Sequence, residues 1–427
     1  MNSTADGRVR ERARGVTLSW EGKERAWDHR LDAVSARSTT KPFYRPELDA
    51  LRFGCFLLVF FHHAFSRAGE GWSTAAVDAA GFGVPVFFLL SSFLITELLL
   101  REREGSGRVH AGAFYVRRIL RIWPLYFGFL GLCWAMGRVG LLHAVPTAMG
   151  LSFLVMAGNW YFVAMGTSLT PAGILWSVSL EEQFYLVWPW MMRLGRRVRV
   201  LALANGTMVA VSYAAIWWLA ATGHGPDMAI WGNTLVQMQF FAVGSLLAMG
   251  LRVWRPELSM WARMGLLAGC GATWILAAGL GRVKRFDVTI SPMHACVGYA
   301  LMAVGAVCLF GAVYGLKMNQ TGAGRVLVYL GRISYGLYVF HILMINAGGR
   351  VLKLMGLPVQ QGSPAMVVLP LAMTIMAAVI SYEFFEKPFL RLKGRWTFVR
   401  SRDDGGRPRT EASGAVVGES LTTAKAP

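Results

Sequence analysis

The sequence predicts an all-α polytopic membrane protein, with about ten transmembrane helices and one further re-entrant or interfacial segment. Three observations predict it. Of 427 residues, 55% are hydrophobic and 16% charged, with a mean hydropathy of +0.43, too apolar for a surface that faces water. The apolar residues are gathered into runs close to the ~20 residues that span a ~30 Å hydrocarbon core. Only helices, or closed barrels built from much shorter alternating segments, satisfy the backbone there. The basic residues fall in short stretches between those runs, as the positive-inside bias requires.

Spans are expected at 48–67, 80–100, 119–137, 174–192, 201–222, 231–251, 261–280, 293–314, 327–347 and 366–386. A further apolar run, 149–165, is ambiguous. As an eleventh crossing it would place Arg193, Arg196, Arg197 and Arg199 outside. With ten crossings and a cytoplasmic N-terminus, those arginines face the cytoplasm. So do Arg101–Arg121, Arg252–Arg255, Lys317–Arg325 and the basic stretch from Lys387 to Arg402, whereas Arg282, Lys284 and Arg285 face outward. The run 149–165 is therefore read as re-entrant or interfacial. The domain division is a flexible cytoplasmic tail at 1–44, with an amphipathic piece around Leu18–Leu31, a membrane domain at 45–390, and a disordered cytoplasmic tail at 391–427. No cleavable signal peptide is visible, and the expected location is the inner, cytoplasmic membrane with both termini inside.

The net charge of +19 sits beside apolar runs. It reads as topology and contact with an anionic lipid bilayer, with no nucleic-acid partner. The five cysteines, Cys55, Cys133, Cys270, Cys296 and Cys308, lie inside apolar segments without a CxxC pair and read as small packing residues. No metal-ligand spacing such as HExxH is present, so no metal is expected.

The most informative stretch is Leu48–Ala64, LDALRFGCFLLVFFHHA. Arg52 and His63 are eleven residues apart, almost three turns, so they leave one helix face about 16 Å apart along the axis. Arg52 could be an interfacial anchor and His63 a packing residue, but ionisable groups at that depth read first as functional. His62 points to a different face. The second span carries Ser91-Ser92, small enough for close helix packing; Ser91 could also present a hydroxyl to the His63 cavity. Arg117, Arg118 and Arg121 are spaced to form a basic face, explicable as topology yet suited to phosphate. The fourth span carries Glu181, Glu182 and Tyr185. Its adjacent carboxylates could pair with those arginines, orient His63 or hold a substrate hydroxyl. His341 reads as a helix-packing residue, and Glu386-Lys387-Pro388 as a helix end.

Taken in order, LDALR with His63, FFLLSSFLIT, FYVRRILRIWPLYF, WSVSLEEQFYLVWP, GRISYGLYVFH and FFEKP resemble the acyltransferase-3 family of integral membrane O-acyltransferases over about residues 45–390. Ser92 departs from the family's usual Gly, and Val178 from its usual Leu. The resemblance implies a ten-helix domain that moves an acyl group, most often acetyl, from acyl-CoA to a hydroxyl of a carbohydrate or another acceptor. That acceptor could be exopolysaccharide, lipopolysaccharide, a lipid-linked sugar or a macrolide-type small molecule. Some members carry an extra periplasmic hydrolase-like domain; a stand-alone form is expected here. Arg52 and His63 match the family's arginine–histidine pair, Arg117, Arg118 and Arg121 its arginine cluster, and Glu181 its glutamate after the Trp-Ser pair. The expected roles follow. Arg52, Arg117, Arg118 and Arg121 bind the phosphates of acetyl-CoA, the donor. His63 and Glu181 are catalytic, with His63 acting as general base or as transient acyl carrier. Ser91, Glu182 and Tyr185 stand on the substrate side. The rival reading is a secondary transporter that uses the same buried charges, but paired broken helices and internal repeats are not visible.

Overall fold

The computed structural model describes residues 43–65, 72–195, 197–224, 227–283 and 290–393. The stretch Leu18–Leu31, most of the 1–44 tail and the 391–427 tail beyond Lys393 lie outside the described residues. Among those described, the chain is helical throughout, with no strand. The helices are α1 (Pro46–Ala64), α2 (Trp72–Ala80), α3 (Gly83–Ser106), α4 (Ala111–Arg138), α5 (Thr147–Leu154), α6 (Gly158–Met165), α7 (Trp176–Leu194) and α8 (Val198–Ala221). They continue with α9 (Met228–Trp231), α10 (Thr234–Val253), α11 (Met260–Gly279), α12 (Pro292–Val313), α13 (Gly322–Arg332), α14 (Ser334–Leu354), α15 (Pro364–Ile380) and α16 (Lys387–Lys393).

Among the described residues, eight helical stretches are long and apolar enough to cross a membrane. The expected first and fourth spans, α1 and α7, are not among the eight, although each has 19 residues. Their composition is the reason, since α1 carries Glu47, Asp49 and Arg52 and α7 carries Glu181, Glu182 and Arg193. They are the two helices that bring most of the candidate chemistry.

Contacts place several helix ends at one surface. Arg101 near the end of α3 lies over the Phe43 ring just before α1, 4.5 Å from its centre. Arg45 donates to the Tyr314 hydroxyl at the end of α12 at 3.2 Å, and Arg103 of α3 donates to the Gly195 carbonyl at the end of α7 at 3.1 Å. Arg252 at the end of α10 is buried between Glu97, at 3.1 Å, and Glu104 of α3. Helix α1 therefore starts on the surface where α3, α7, α10 and α12 end. Its start is well built, with Pro46 in the first turn and Glu47 and Asp49 at the positive end of the helix dipole.

Three expectations are corrected. The third span, placed at 119–137, begins earlier: α4 runs from Ala111, so Arg117, Arg118 and Arg121 belong to a helix rather than to a basic loop. The ninth span, placed at 327–347, is two helices broken at Ile333. The break follows from packing, because a Cβ at Gly331 would lie 1.8 Å from the Asp49 carbonyl oxygen, so α13 meets α1 backbone to backbone. The chain does not stop at Glu386-Lys387-Pro388. It passes through a π turn at Ser381–Glu386 into α16, where Pro388 falls in a first turn that needs no N–H from it. The run 149–165, expected to be re-entrant or interfacial, is no correction: it is α5 and α6, joined by a bend in which Met156 has φ 56. Each eight-residue helix is about 12 Å long and too short to cross by itself.

Candidate functional site

Two neighbouring cavities hold most of the sequence-predicted residues. The first, about 80 Å³, is lined by Arg52 of α1, Ser91 of α3, Arg118 and Arg121 of α4, and Glu181 and Tyr185 of α7. Their convergence follows from helical spacing: Arg118 and Arg121 are three apart and Glu181 and Tyr185 four apart, so each pair shares a face. Tyr185 donates to Glu181 Oε2 at 2.9 Å and Ser91 to Glu181 Oε1 at 3.1 Å. Both carboxylate oxygens are thereby fixed from two helices.

The arginines of this cavity are held differently. Arg118 stacks against the Phe114 and Tyr185 rings, 5.5 and 5.3 Å from their centres. Among the described residues, neither Arg52 nor Arg118 makes a hydrogen bond or an ion pair, and the Nε of each is buried without a partner. Both act on Glu181 through space. Glu181 thus faces two guanidinium groups across the cavity without bonding either, and their donors remain directed at the cavity.

Arg117 does not join them. It points around the helix to Glu102, with a 2.8 Å ion pair, and Glu102 also takes the His110 ring at 3.1 Å. The expected three-arginine face is therefore a two-arginine face, because consecutive residues on a helix are about 100° apart. Nor do the carboxylates of α7 pair with the arginine cluster. Glu182 turns away from Glu181 to accept from the Trp123 indole at 3.0 Å, and its other oxygen is buried without a partner.

His63 lines the second cavity, about 510 Å³, together with Thr170, Trp176, Trp231 and Gln361. Val84 and Tyr338 line both cavities and stand at their junction. Arg52 and His63 do leave α1 toward connected space, but Glu181 lines only the first cavity and His63 only the second. Tyr338 is held at the junction by Ser177, whose hydroxyl lies 2.6 Å from the Tyr338 oxygen. His62 is 3% exposed, and its Nδ1 donates to the Val77 carbonyl at 2.7 Å, tying α1 to α2.

Helix α14 brings to the two cavities residues that were not expected there from the sequence. Ser334, Tyr335 and Tyr338 line the first cavity, and His341 packs against His63 with ring centres 5.3 Å apart. The spacing of Ser334, Tyr338 and His341 by four and three residues is the signal that would have found this face.

The family model described as an acyltransferase domain matches residues 45–383. A Bacillus subtilis protein provisionally named as a peptidoglycan O-acetyltransferase is 28% identical over 387 residues, covering 84% of this chain and 56% of that protein. The peptidoglycan O-acetyltransferase of Listeria monocytogenes is 24% identical over 373 residues, covering 81% of this chain and 56% of that protein. A Staphylococcus aureus protein provisionally named as an O-acetyltransferase is 24% identical over 370 residues, covering 81% and 57%. The chain spans little more than half the length of these relatives. No solved structure matches it.

Proposed function

This chain belongs to the acyltransferase-domain family, and on that premise we propose that it is a membrane O-acyltransferase moving an acyl group, first of all acetyl, from acyl-CoA to a carbohydrate hydroxyl. The observation that carries the reading is the cavity in which, among the described residues, Arg52 and Arg118 stand beside Glu181 without a hydrogen bond or ion pair. Phosphates of the donor fit that chemistry, and guanidinium forks bind them in charge-assisted hydrogen bonds. Arg121 adds a third cation to the same lining.

The donor's arm runs from the arginine cavity past Val84 and Tyr338 toward His63, about 16 Å along α1. The acceptor occupies the larger cavity around His63. His63 takes the proton of the acceptor hydroxyl as its oxygen bonds to the acyl carbon. The carbon–sulfur bond breaks, and the proton held on His63 passes to the departing CoA sulfur. Glu181, fixed by Ser91 and Tyr185, balances the charge of Arg52 and Arg118 when the donor is absent. The names of two relatives direct the acceptor toward peptidoglycan. The donor is cytoplasmic, so the arginine cavity is assigned to the cytoplasmic side of the inner membrane.

The test is thiol release from acetyl-CoA by the full chain in lipid nanodiscs, with and without oligosaccharide acceptors, together with mass spectrometry of surface glycans from cells with and without the gene. Acceptor-dependent thiol release and loss of glycan acetyl groups are expected. Solute-coupled proton flux in vesicles without thiol release would establish the transporter reading in its place.

A further inference from the structure

We propose that Tyr338 is a further catalytic residue, whose hydroxyl donates to the oxyanion that forms on the acyl carbonyl during transfer; the proposal rests on the acyltransferase reading given above. The donor is assigned to the arginine cavity and the acceptor to the larger one. The acyl carbon has to be reached from both, so it reacts where they meet. Among the described residues, Val84 and Tyr338 are the two that line both cavities. Val84 is apolar, so Tyr338 brings the only polar side chain common to the two linings.

The hydroxyl itself, and not only the ring, stands at that junction. Its oxygen lies 2.6 Å from the hydroxyl of Ser177, which lines the first cavity. It lies 3.5 Å from the carbonyl oxygen of Ile174, which lines the second. Ser177 Oγ is 3.4 Å from that same carbonyl. Two hydroxyl hydrogens therefore share one short bond and one carbonyl that is farther than the usual O–H···O range of about 2.5–3.0 Å. When Ser177 donates to Tyr338, the Tyr338 hydrogen is left with the distant carbonyl alone. An oxygen that carries negative charge takes that hydrogen in a stronger, charge-assisted bond. The bond received from Ser177 polarises the phenol and strengthens the one it gives. Neighbouring hydroxyls are committed elsewhere. Ser91 and Tyr185 donate to Glu181 at 3.1 and 2.9 Å, and Tyr335 donates to the Ile122 carbonyl at 3.0 Å.

As the acceptor oxygen bonds to the acyl carbon, the carbonyl π electrons move onto the carbonyl oxygen, which becomes the oxyanion held by Tyr338. Re-forming the carbon–oxygen double bond breaks the carbon–sulfur bond. The acceptor's proton ends on the departing sulfur, and Tyr338 keeps its own hydrogen throughout. The contact is strong only while the oxygen carries charge, so it lowers the barrier and leaves binding of the donor nearly as it was.

The experiment measures thiol release from acetyl-CoA by the full chain in nanodiscs, with soluble peptidoglycan fragments as acceptor and with water alone. It compares Tyr338→Phe, Ser177→Ala and the Ser177→Ala/Tyr338→Phe double variant, and records thermal melting of each. Tyr338→Phe keeps the ring and removes the donor, and should lower kcat by about 10²-fold with KM for acetyl-CoA nearly unchanged. The oxyanion forms whichever oxygen attacks, so release to water should fall by the same factor. Ser177→Ala leaves the donor in place and should lose about tenfold at most. The double variant removes the hydroxyl pair together, which keeps a folded protein to measure where the single change strands Ser177. It should lose no more than Tyr338→Phe alone, because Ser177 acts through Tyr338. Unchanged kcat in folded Tyr338→Phe or double-variant protein, a loss confined to KM, a loss with one attacking oxygen and not the other, or a greater loss in Ser177→Ala than in Tyr338→Phe each overturn the proposal. Absence of thiol release by the unaltered chain under both conditions instead overturns the acyltransferase reading.

Discussion

Two adjacent histidines in α1 have opposite fates, and the difference is legible in their contacts. His62 gives its Nδ1 to the Val77 carbonyl, whereas His63 is half-buried and lines the large cavity. His63→Ala is expected to abolish transfer, by about 10²–10⁴-fold, while insertion and melting stay near normal. His62→Ala should keep substantial activity and lose roughly 1 kcal/mol of stability with its hydrogen bond. Acetyl transfer at matched protein levels decides, and a dead His62→Ala beside an active His63→Ala would reverse the assignment. The arginines divide similarly. Arg118→Ala should raise KM for acetyl-CoA by about 10–100-fold, the equivalent of a 1.5–3 kcal/mol charge-assisted contact, and should hardly affect S-acetylpantetheine, which lacks the nucleotide phosphates. Arg117→Ala should act on folding instead, because it strips the guanidinium from Glu102, a carboxylate 3% exposed. Equal effects of Arg118→Ala on both donors would remove the phosphate assignment. The sequence carried Arg52 and His63 because both lie on one helix with a readable period. It could not carry the junction between the cavities, because Tyr338 arrives from a helix far along the chain.

At the scale of elements, close approach between helices is set by single small residues, and here the small residue sits on the partner. The family's usual Gly is replaced by Ser92 in α3, yet α3 and α10 still pack tightly. A Cβ at Gly244 of α10 would lie 2.1 Å from both the Leu89 carbonyl oxygen and the Ser92 hydroxyl. Small residues of this kind let membrane helices meet backbone to backbone. Gly244→Ala should therefore destabilise the protein by about 1–3 kcal/mol, read as a lower melting midpoint in detergent. An unchanged midpoint would mean that the two helices can separate without cost. The bent segment α5–α6 is held by the same logic in polar form. Gln183 donates to the Met156 carbonyl at 2.9 Å and to Asn159 at 2.7 Å, and Tyr126 donates to the Phe153 carbonyl at 3.0 Å. Apolar length alone left 149–165 ambiguous, because hydropathy does not register a bend. The early start of α4 was hidden for a related reason. Its first turns carry Arg117, Arg118 and Arg121, and a hydropathy window reads charge as a loop even when the charge is pointed into a cavity.

For the molecule as a whole, contacts constrain how many of these helices cross the membrane more firmly than hydropathy does. Among the described residues, eight helical stretches qualify by length and composition; α1 and α7 do not, because they bring charge into the interior. The ends of α3 and α7 meet through Arg103 and Gly195. The segment before α1 meets the end of α3 through Phe43 and Arg101. Glu104 joins Arg252 at the end of α10. If these ends share one surface, α1 and α3 run antiparallel across the same thickness, and α7 ends where α3 ends. Reporter fusions after Glu104 and after Arg199 should then both read cytoplasm, and one after His224 should read outside. Were α1 not to cross, α3 would carry Glu104 to the outside with the N-terminus still inside. Were α5–α6 to cross fully, or α7 to fail, Arg199 would be outside instead. The arginines beside Gly195 weigh against that, since moving a short basic loop outward opposes the positive-inside bias. An outside signal at either position would break the ten-crossing arrangement, and with it the assignment of Arg52 and Arg118 to the side from which the donor arrives.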